Sequence, residues 1–145
     1  MPVAKNSAEL EKMIVKQMQK AMQVTQRKIE ADMHEEVGKF YTRGKPLLYT
    51  RTGGLANTPK TTNISIGGTT ASFEAYLDPN QGWYGAGNPN PAFTSRGWSS
   101  YFTPLQIISA AESHAAHIKG KGGFWSRSLK RMKQDIIQTF GQFFN

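Results

Sequence analysis

The sequence contains no cysteine among its 145 residues. This absence excludes disulfide bonds, cysteine nucleophiles and zinc or iron–sulfur sites ligated by cysteine. No apolar run approaches the roughly 18 residues that a membrane span needs, and the opening residues lack the apolar core of a signal peptide. We therefore expect synthesis in the cytoplasm and no membrane partner.

Recognisable catalytic motifs are also lacking. The sequence has no Walker loop, no HExxH, no GxGxxG and no serine–histidine–aspartate ordering. His114 and His117 lie three residues apart near Glu112, a spacing that could share a metal, and a metal-dependent hydrolase built on them is a minor hypothesis. Favourable contact with a helix C-terminus explains the same pair. We expect no enzyme activity, no cofactor and no bound metal.

Acidic residues are few, and the positive charge is unevenly placed. The chain carries +8 at pH 7, with 18 basic and 10 acidic residues and an isoelectric point near 9.8. Residues 1–37 hold six of each sign, residues 38–60 hold five basic and no acidic residues, and residues 118–145 sum to +5. The acids near residue 35 are interpreted as a solvated helix end: Glu30, Asp32, Glu35 and Glu36.

The basic tail is the candidate contact for DNA or for an acidic protein partner, although the same charge could simply keep the protein soluble. The residues assigned to this contact are Lys119, Lys121, Arg127, Lys130 and Arg131.

One long amphipathic helix is predicted for residues 1–38. Asn6 and Glu9 fit a capping box at its start, and Gly38 fits its end. Its apolar stripe contains Leu10, Ile14, Met18, Ala21, Thr25, Ile29, Met33 and Val37. About 30 residues give a helix of roughly 45 Å. This helix is longer than a small core, and its apolar face must be covered to stabilise it. It must therefore lie on a sheet, on another helix or on a neighbouring subunit. Packing on a sheet is preferred to a coiled coil, since the stripe drifts from a strict heptad.

The remainder predicts a single α+β domain covering residues 1–145, in which the two terminal helices pack on a small antiparallel sheet with long loops. Residues 39–62 are predicted to form an irregular connector and residues 63–77 a hairpin that turns at Gly67-Gly68. The side chains predicted to face inward in the hairpin are Ile64, Ile66, Ala71, Phe73, Ala75 and Leu77.

A long loop rich in glycine, proline and aromatic residues is predicted for residues 78–103, and two helices for residues 104–145. The loop supplies the candidate subunit contacts Trp83, Tyr84, Phe93 and Trp98. The last helix is predicted to begin near Ser126 and to present one apolar face made of Leu129, Met132, Ile136 and Phe140.

The most specific motif follows the long helix and consists of Tyr49, Arg51, Thr52, Gly53 and Leu55. Threonine and glycine suit a turn, while Tyr49 and Leu55 are expected to anchor the connector to the helix. The pattern Tyr-x-Arg-Thr-Gly-x-Leu, placed between a long helix and strands, resembles that of tailed-bacteriophage neck and tail-completion proteins, the head–tail joining and minor tail components.

The resemblance implies a structural role for these residues and a ring, usually of six subunits, in the virion at the head–tail interface. It implies other neck, connector or tail proteins as partners and DNA passing through the ring. The alternative is a free DNA-binding protein without sequence specificity, which the high isoelectric point favours.

Overall fold

The computed structural model describes residues 3–42, 54–68, 70–79, 104–113 and 120–144. Within these ranges the structure contains three helices and four short strands: α1 (Ser7–Gly38), β1 (Pro59–Thr61), β2 (Ser65–Gly67), β3 (Thr70–Ser72), β4 (Ala75–Leu77), α2 (Pro104–Ser113) and α3 (Phe124–Phe144). Short 3₁₀ helices occupy Lys39–Thr42 and Gly54–Asn57. The predicted α+β class is confirmed, with long first and last helices and a small set of antiparallel strands.

Both ends of α1 are set by local chemistry. The Asn6 side chain accepts a hydrogen bond from the Glu9 backbone N–H at 2.9 Å, and the Glu9 carboxylate accepts one from the Lys5 backbone N–H at 2.7 Å. The first bond satisfies an N–H group that the helix start leaves unpaired, and the second ties the residue before the cap to the first turn. The helix ends at Gly38 and tightens into the first 3₁₀ helix. The cap at Asn6 and the end at Gly38 agree with the sequence, and the helix begins at Ser7 within the predicted segment 1–38.

Helices α1 and α3 pack side by side in opposite directions. Arg127 near the start of α3 contacts Glu36 near the end of α1, and the Gln17 side chain donates to the Phe143 carbonyl at 3.4 Å. The buried part of α1 is the second half of its predicted stripe: Ala21, Thr25, Ile29, Met33 and Val37. Leu10 and Ile14 in the first half are exposed. The stripe is therefore core along only part of its length.

The strands form one folded-back segment. Strand β1 pairs with β4, with Pro59 opposite Leu77, and β2 pairs with β3 around Gly68, whose positive φ of 56° suits glycine. Three residues join β1 to β2 but only two join β3 to β4, so the longer side carries one extra residue, a bulge. The predicted turn at Gly67-Gly68 is confirmed.

Two predictions for this region are wrong. Strand β1 and the second 3₁₀ helix lie within residues 39–62, which were predicted to be irregular, and the hairpin begins at Pro59 rather than at residue 63. Ile66 was predicted to face inward but is exposed. The extra residue between β1 and β2 changes which face of the hairpin each β2 side chain occupies. Each strand has only three residues, so packing of its side chains is too weak to restore the predicted alternation.

The strands lie against the middle of α1, so the predicted contact between this helix and a sheet is present, although α3 packs mainly on α1. The Gln26 side chain donates to the Thr62 carbonyl at 2.6 Å, and the Thr61 hydroxyl donates to the Glu30 carboxylate at 2.7 Å. Two polar helix residues thereby hold the first strand and the residue after it in register with α1.

The apolar core sits where the end of α1 meets α2 and the start of α3. Its buried members are Val37, Phe40, Leu55, Ala111 and Phe124. The rings of Phe40 and Phe124 meet edge to face, with centroids 6.2 Å apart. The chain approaches Phe40 closely at Gly120, where any Cβ atom would overlap the aromatic ring. This core fixes how α3 enters its pairing with α1.

Candidate functional site

A buried carboxylate organises the junction between α1 and α3. Glu36 accepts from the Arg127 guanidinium at 2.6 Å, from the Lys39 ammonium at 2.9 Å and from the Arg131 guanidinium at 3.1 Å. Arg131 also bonds Asp32 and, at 3.2 Å, Glu35. We refer to Asp32, Glu35, Glu36, Lys39, Arg127 and Arg131 as the charge cluster.

The charge cluster changes the pKa values of Glu35, Glu36 and Arg131. Burial acts to raise the pKa of Glu36, but hydrogen bonds from Arg127, Lys39 and Arg131 outweigh it and lower this pKa to about 2. The hydrogen bond from Arg131 lowers the pKa of the exposed Glu35, and the same bond raises the pKa of Arg131. These groups stay ionised at neutral pH.

The interpretation of these acids as a solvated helix end is wrong for Glu36, which is only 3% exposed. A buried carboxylate is stable only when paired, and the two arginines of α3 provide the pairing. Arg127 and Arg131 were predicted to contact DNA or an acidic partner, but the structure engages both within the chain. Their positive charge is largely compensated by the acids of α1.

A second carboxyl group lies further along the same helix pair. Burial, followed by a hydrogen bond with Asp32, raises the pKa of Asp135 to about 6, and the nearby charges of Lys28 and Arg131 only partly oppose this. Within the described ranges, Oδ2 of Asp135 is buried without a hydrogen-bond partner. A proton on Asp135 therefore relieves the repulsion between the two carboxylates.

The structure does not bring the remaining predicted site residues together in one site among the residues that it describes. Lys130 is exposed and Lys121 half-buried, and neither forms an ion pair within the described part of the chain. Leu55 lies in the core. The residues that fall outside the described ranges are Tyr49, Arg51, Thr52, Gly53, Trp83, Tyr84, Phe93, Trp98 and Lys119.

Helix α1 projects beyond its partner helix. Because Gln17 contacts Phe143 at the end of α3, the ten residues 7–16 extend about 15 Å past it. On this projecting part, Leu10 is 49% exposed and Ile14 47% exposed. They line an open groove with Ser7, Glu11, Val15 and Met18. We call this groove the apolar end of α1.

Helix α3 also exposes apolar side chains. Two members of its predicted apolar face, Leu129 and Ile136, are 49% and 47% exposed, so that face is not buried as a whole. The helix instead turns Phe124, Ser128 and Thr139 into the structure, with Arg131 reaching the acids of α1. The exposed apolar residues of this helix, which we call the apolar face of α3, are Leu129, Ile136, Ile137 and Phe144.

A basic surface on α1 was missed at the sequence level. Lys12, Lys16, Lys20 and Arg27 are all exposed, and none forms an ion pair within the described residues. Residues 12–29 contain no acidic residue. The net charge of residues 1–37 is zero, so a sum over this whole segment does not show that its basic and acidic residues lie in different parts of the helix. Spacings of four, four and seven residues, which keep side chains on one helix face, are the signal that would have found it.

No metal site is found among the described residues, which include no group of three or more potential ligands from histidine, aspartate and glutamate. Glu112, considered above as a ligand, accepts hydrogen bonds from the backbone N–H groups of Trp125 at 3.0 Å and Ser126 at 3.1 Å. It therefore caps the start of α3. His114 and His117 lie outside the described ranges. None of the described helices is both long enough and apolar enough to cross a membrane.

Comparison with known proteins adds no assignment. No protein-family model, no curated protein and no solved structure matches this chain.

Proposed function

We propose that this chain is a structural virion protein of a tailed phage, forming a ring in the neck or at the top of the tail that joins head to tail and lets DNA pass. The motif around Tyr49 and Leu55 supports the family, and the observation that carries self-assembly is the apolar end of α1. The proposal assigns no catalytic residue and no cofactor.

The apolar end of α1 calls for a partner. An isolated helical segment gains little stability in water unless its apolar face is covered, yet Leu10 and Ile14 are half exposed on three projecting turns. A second copy of the chain fits as the partner because the apolar face of α3 offers matching exposed side chains. Two different surfaces that meet head to tail make a heterologous contact, and such contacts form a ring when the rotation between neighbouring copies closes.

The charged residues beside the two surfaces also favour contact between the apolar end of α1 and the apolar face of α3. Glu11 lines the groove at the apolar end and is exposed, while Lys130 and Lys133 are exposed on α3 beside its apolar face. Within the described ranges none of the three has an ion-pair partner. A contact between the two surfaces would place opposite charges at its rim.

The test is the mass of the purified protein, measured by light scattering after size exclusion, followed by negative-stain imaging. We expect a ring with a central hole wide enough for duplex DNA. Leu10→Glu combined with Ile14→Glu should release 16.1 kDa monomers with unchanged helix content. The control is Gln23→Glu with Ala31→Glu, which adds the same charge at exposed positions outside the groove and should leave the ring intact. A wild-type monomer at every concentration would contradict self-assembly.

The second candidate is a free, sequence-non-specific DNA-binding protein, and the exposed positive charge on α1 favours it. It predicts a monomer that binds duplex DNA tightly. A monomeric mass together with strong binding would select this candidate, whereas a ring selects the virion protein.

A further inference from the structure

The outward face of α1 is more positively charged than the composition of the helix suggests. Asp32, Glu35 and Glu36 pair with Lys39, Arg127 and Arg131. The remaining acids of the helix lie before residue 12 or after residue 29, so its middle contains none. Lys12, Lys16, Lys20 and Arg27 are exposed and form no ion pair with any residue that the structure describes. We call these four residues the basic stripe.

The dimensions of the basic stripe suit an extended polyanion. Fifteen residues separate Lys12 from Arg27, a distance of about 22 Å along the helix. Each strand of a DNA duplex carries one phosphate per roughly 3.4 Å of axis, so the stripe runs beside about six base-pair steps. A row of charges on a straight, rigid helix contacts such a backbone without the entropy cost of ordering a loop.

An anionic membrane is a poorer fit. A helix that binds membranes inserts an apolar face flanked by its basic residues. From Ala21 to Ile29 the apolar side of α1 is buried inside the fold. That part of the helix is therefore closed to lipid, and the exposed Leu10 and Ile14 before it belong to the surface assigned to the subunit contact.

We propose that the basic stripe is a binding site for the phosphate backbone of duplex DNA. Lys12, Lys16, Lys20 and Arg27 each contact a phosphate, and no base is read. This inference deepens the proposed function, because it takes the duplex that the ring would pass as the ligand. It moves the DNA contact from the predicted tail residues to the first helix.

The experiment is a titration of fluorescently labelled duplex DNA with the full chain at several salt concentrations. Four phosphate contacts give a slope of log K against log salt of about −3.6, so doubling the salt weakens binding about 12-fold. The triple variant Lys12→Gln, Lys16→Gln and Lys20→Gln keeps one contact, so its slope falls to about −0.9 and doubling the salt weakens binding about 2-fold. If several subunits of a ring touch one duplex, the difference between the two slopes increases.

The matched control removes the same charge outside the basic stripe and outside the two proposed assembly surfaces through Lys5→Gln, Lys60→Gln and Lys121→Gln, and it should retain the wild-type slope. Circular dichroism checks folding, since glutamine is a good helix former at exposed positions. Absence of wild-type binding at low salt, an unchanged slope in the stripe variant, or an equal loss in both variants would each overturn the inference. Imaging distinguishes the two proposals. Rings that do not bind DNA would be consistent with the proposed function and would contradict only the DNA-binding role of the basic stripe.

Discussion

Replacing Glu36 by glutamine should destabilise the fold by removing the centre of the charge cluster. The side chain keeps its size, but three cations lose their shared carboxylate. Removing one partner of a buried ion pair costs about 3–5 kcal/mol. Because Arg127, Arg131 and Lys39 keep 30%, 29% and 36% of their side chains exposed, solvent screens part of this loss. We expect the free energy of unfolding to fall by about 2–3 kcal/mol.

The assay is urea unfolding followed by circular dichroism at neutral and acidic pH. The pKa of Glu36 is about 2 in the folded chain and 4.5 as its ordinary value. A lowered pKa contributes stability that is fully present above pH 4.5 and is lost as pH falls towards 2. The difference between wild type and Glu36→Gln should therefore shrink across this window.

The neighbouring variant Glu35→Gln is the control. It removes the same charge from α1, but this carboxylate is exposed and bonds Arg131 alone among the cations of α3. Its effect should be clearly smaller than that of Glu36→Gln. Equal stability of Glu36→Gln and wild type, or equal losses in the two variants, would refute a buried carboxylate as the organising group of the junction.

Asp135→Asn should stabilise the chain by about 1 kcal/mol at pH 8, after allowance for solvent screening. The pKa of Asp135 is raised from 3.8 to about 6 in the folded chain. The stability that protonated Asp135 contributes is therefore fully present below pH 3.8 and is lost as pH rises through 6. Urea unfolding across pH 4–8 should show the gain only at the upper end; a gain of the same size at pH 4 would contradict repulsion from Asp32. Gly120→Ala should destabilise by about 1–3 kcal/mol because its Cβ would overlap the buried ring of Phe40. Gly141→Ala meets no atom and should stabilise α3 by about 0.5–1 kcal/mol, and thermal unfolding of both variants would show opposite shifts.

The features that could be predicted from sequence are those decided within a few residues. The Asn6 cap, the end of α1 at Gly38 and the turn at Gly68 depend on side chains next to the backbone groups they satisfy. Strand β1 was missed because its three residues, beginning with Pro59, carry no alternating pattern. Its pairing with β4 across the hairpin is what makes it a strand.

The orientation of α3 could not be predicted because charges, rather than its apolar stripe, decide it. The exposed Leu129 lies on the most regular apolar pattern of the helix, but Arg127 and Arg131 pair with Glu36, located 91 and 95 residues earlier. Contacts at such separation leave no local periodicity. The matching signal is the spacing of four residues between the arginines and between Asp32 and Glu36, on two helices that run in opposite directions.

The wide separation of α1 and α3 along the chain has a consequence during synthesis. At translation rates of about 5–20 residues per second, Arg127 emerges roughly 5–20 s after Glu36. Thr62, only 36 residues after Gln26, arrives much sooner, so the strands can dock on α1 first. Until α3 is made, the surface of α1 on which α3 packs stays uncovered, and the α3 of another newly made copy can bind there. The order of synthesis thus gives this fold a route to exchanged helices between neighbouring chains.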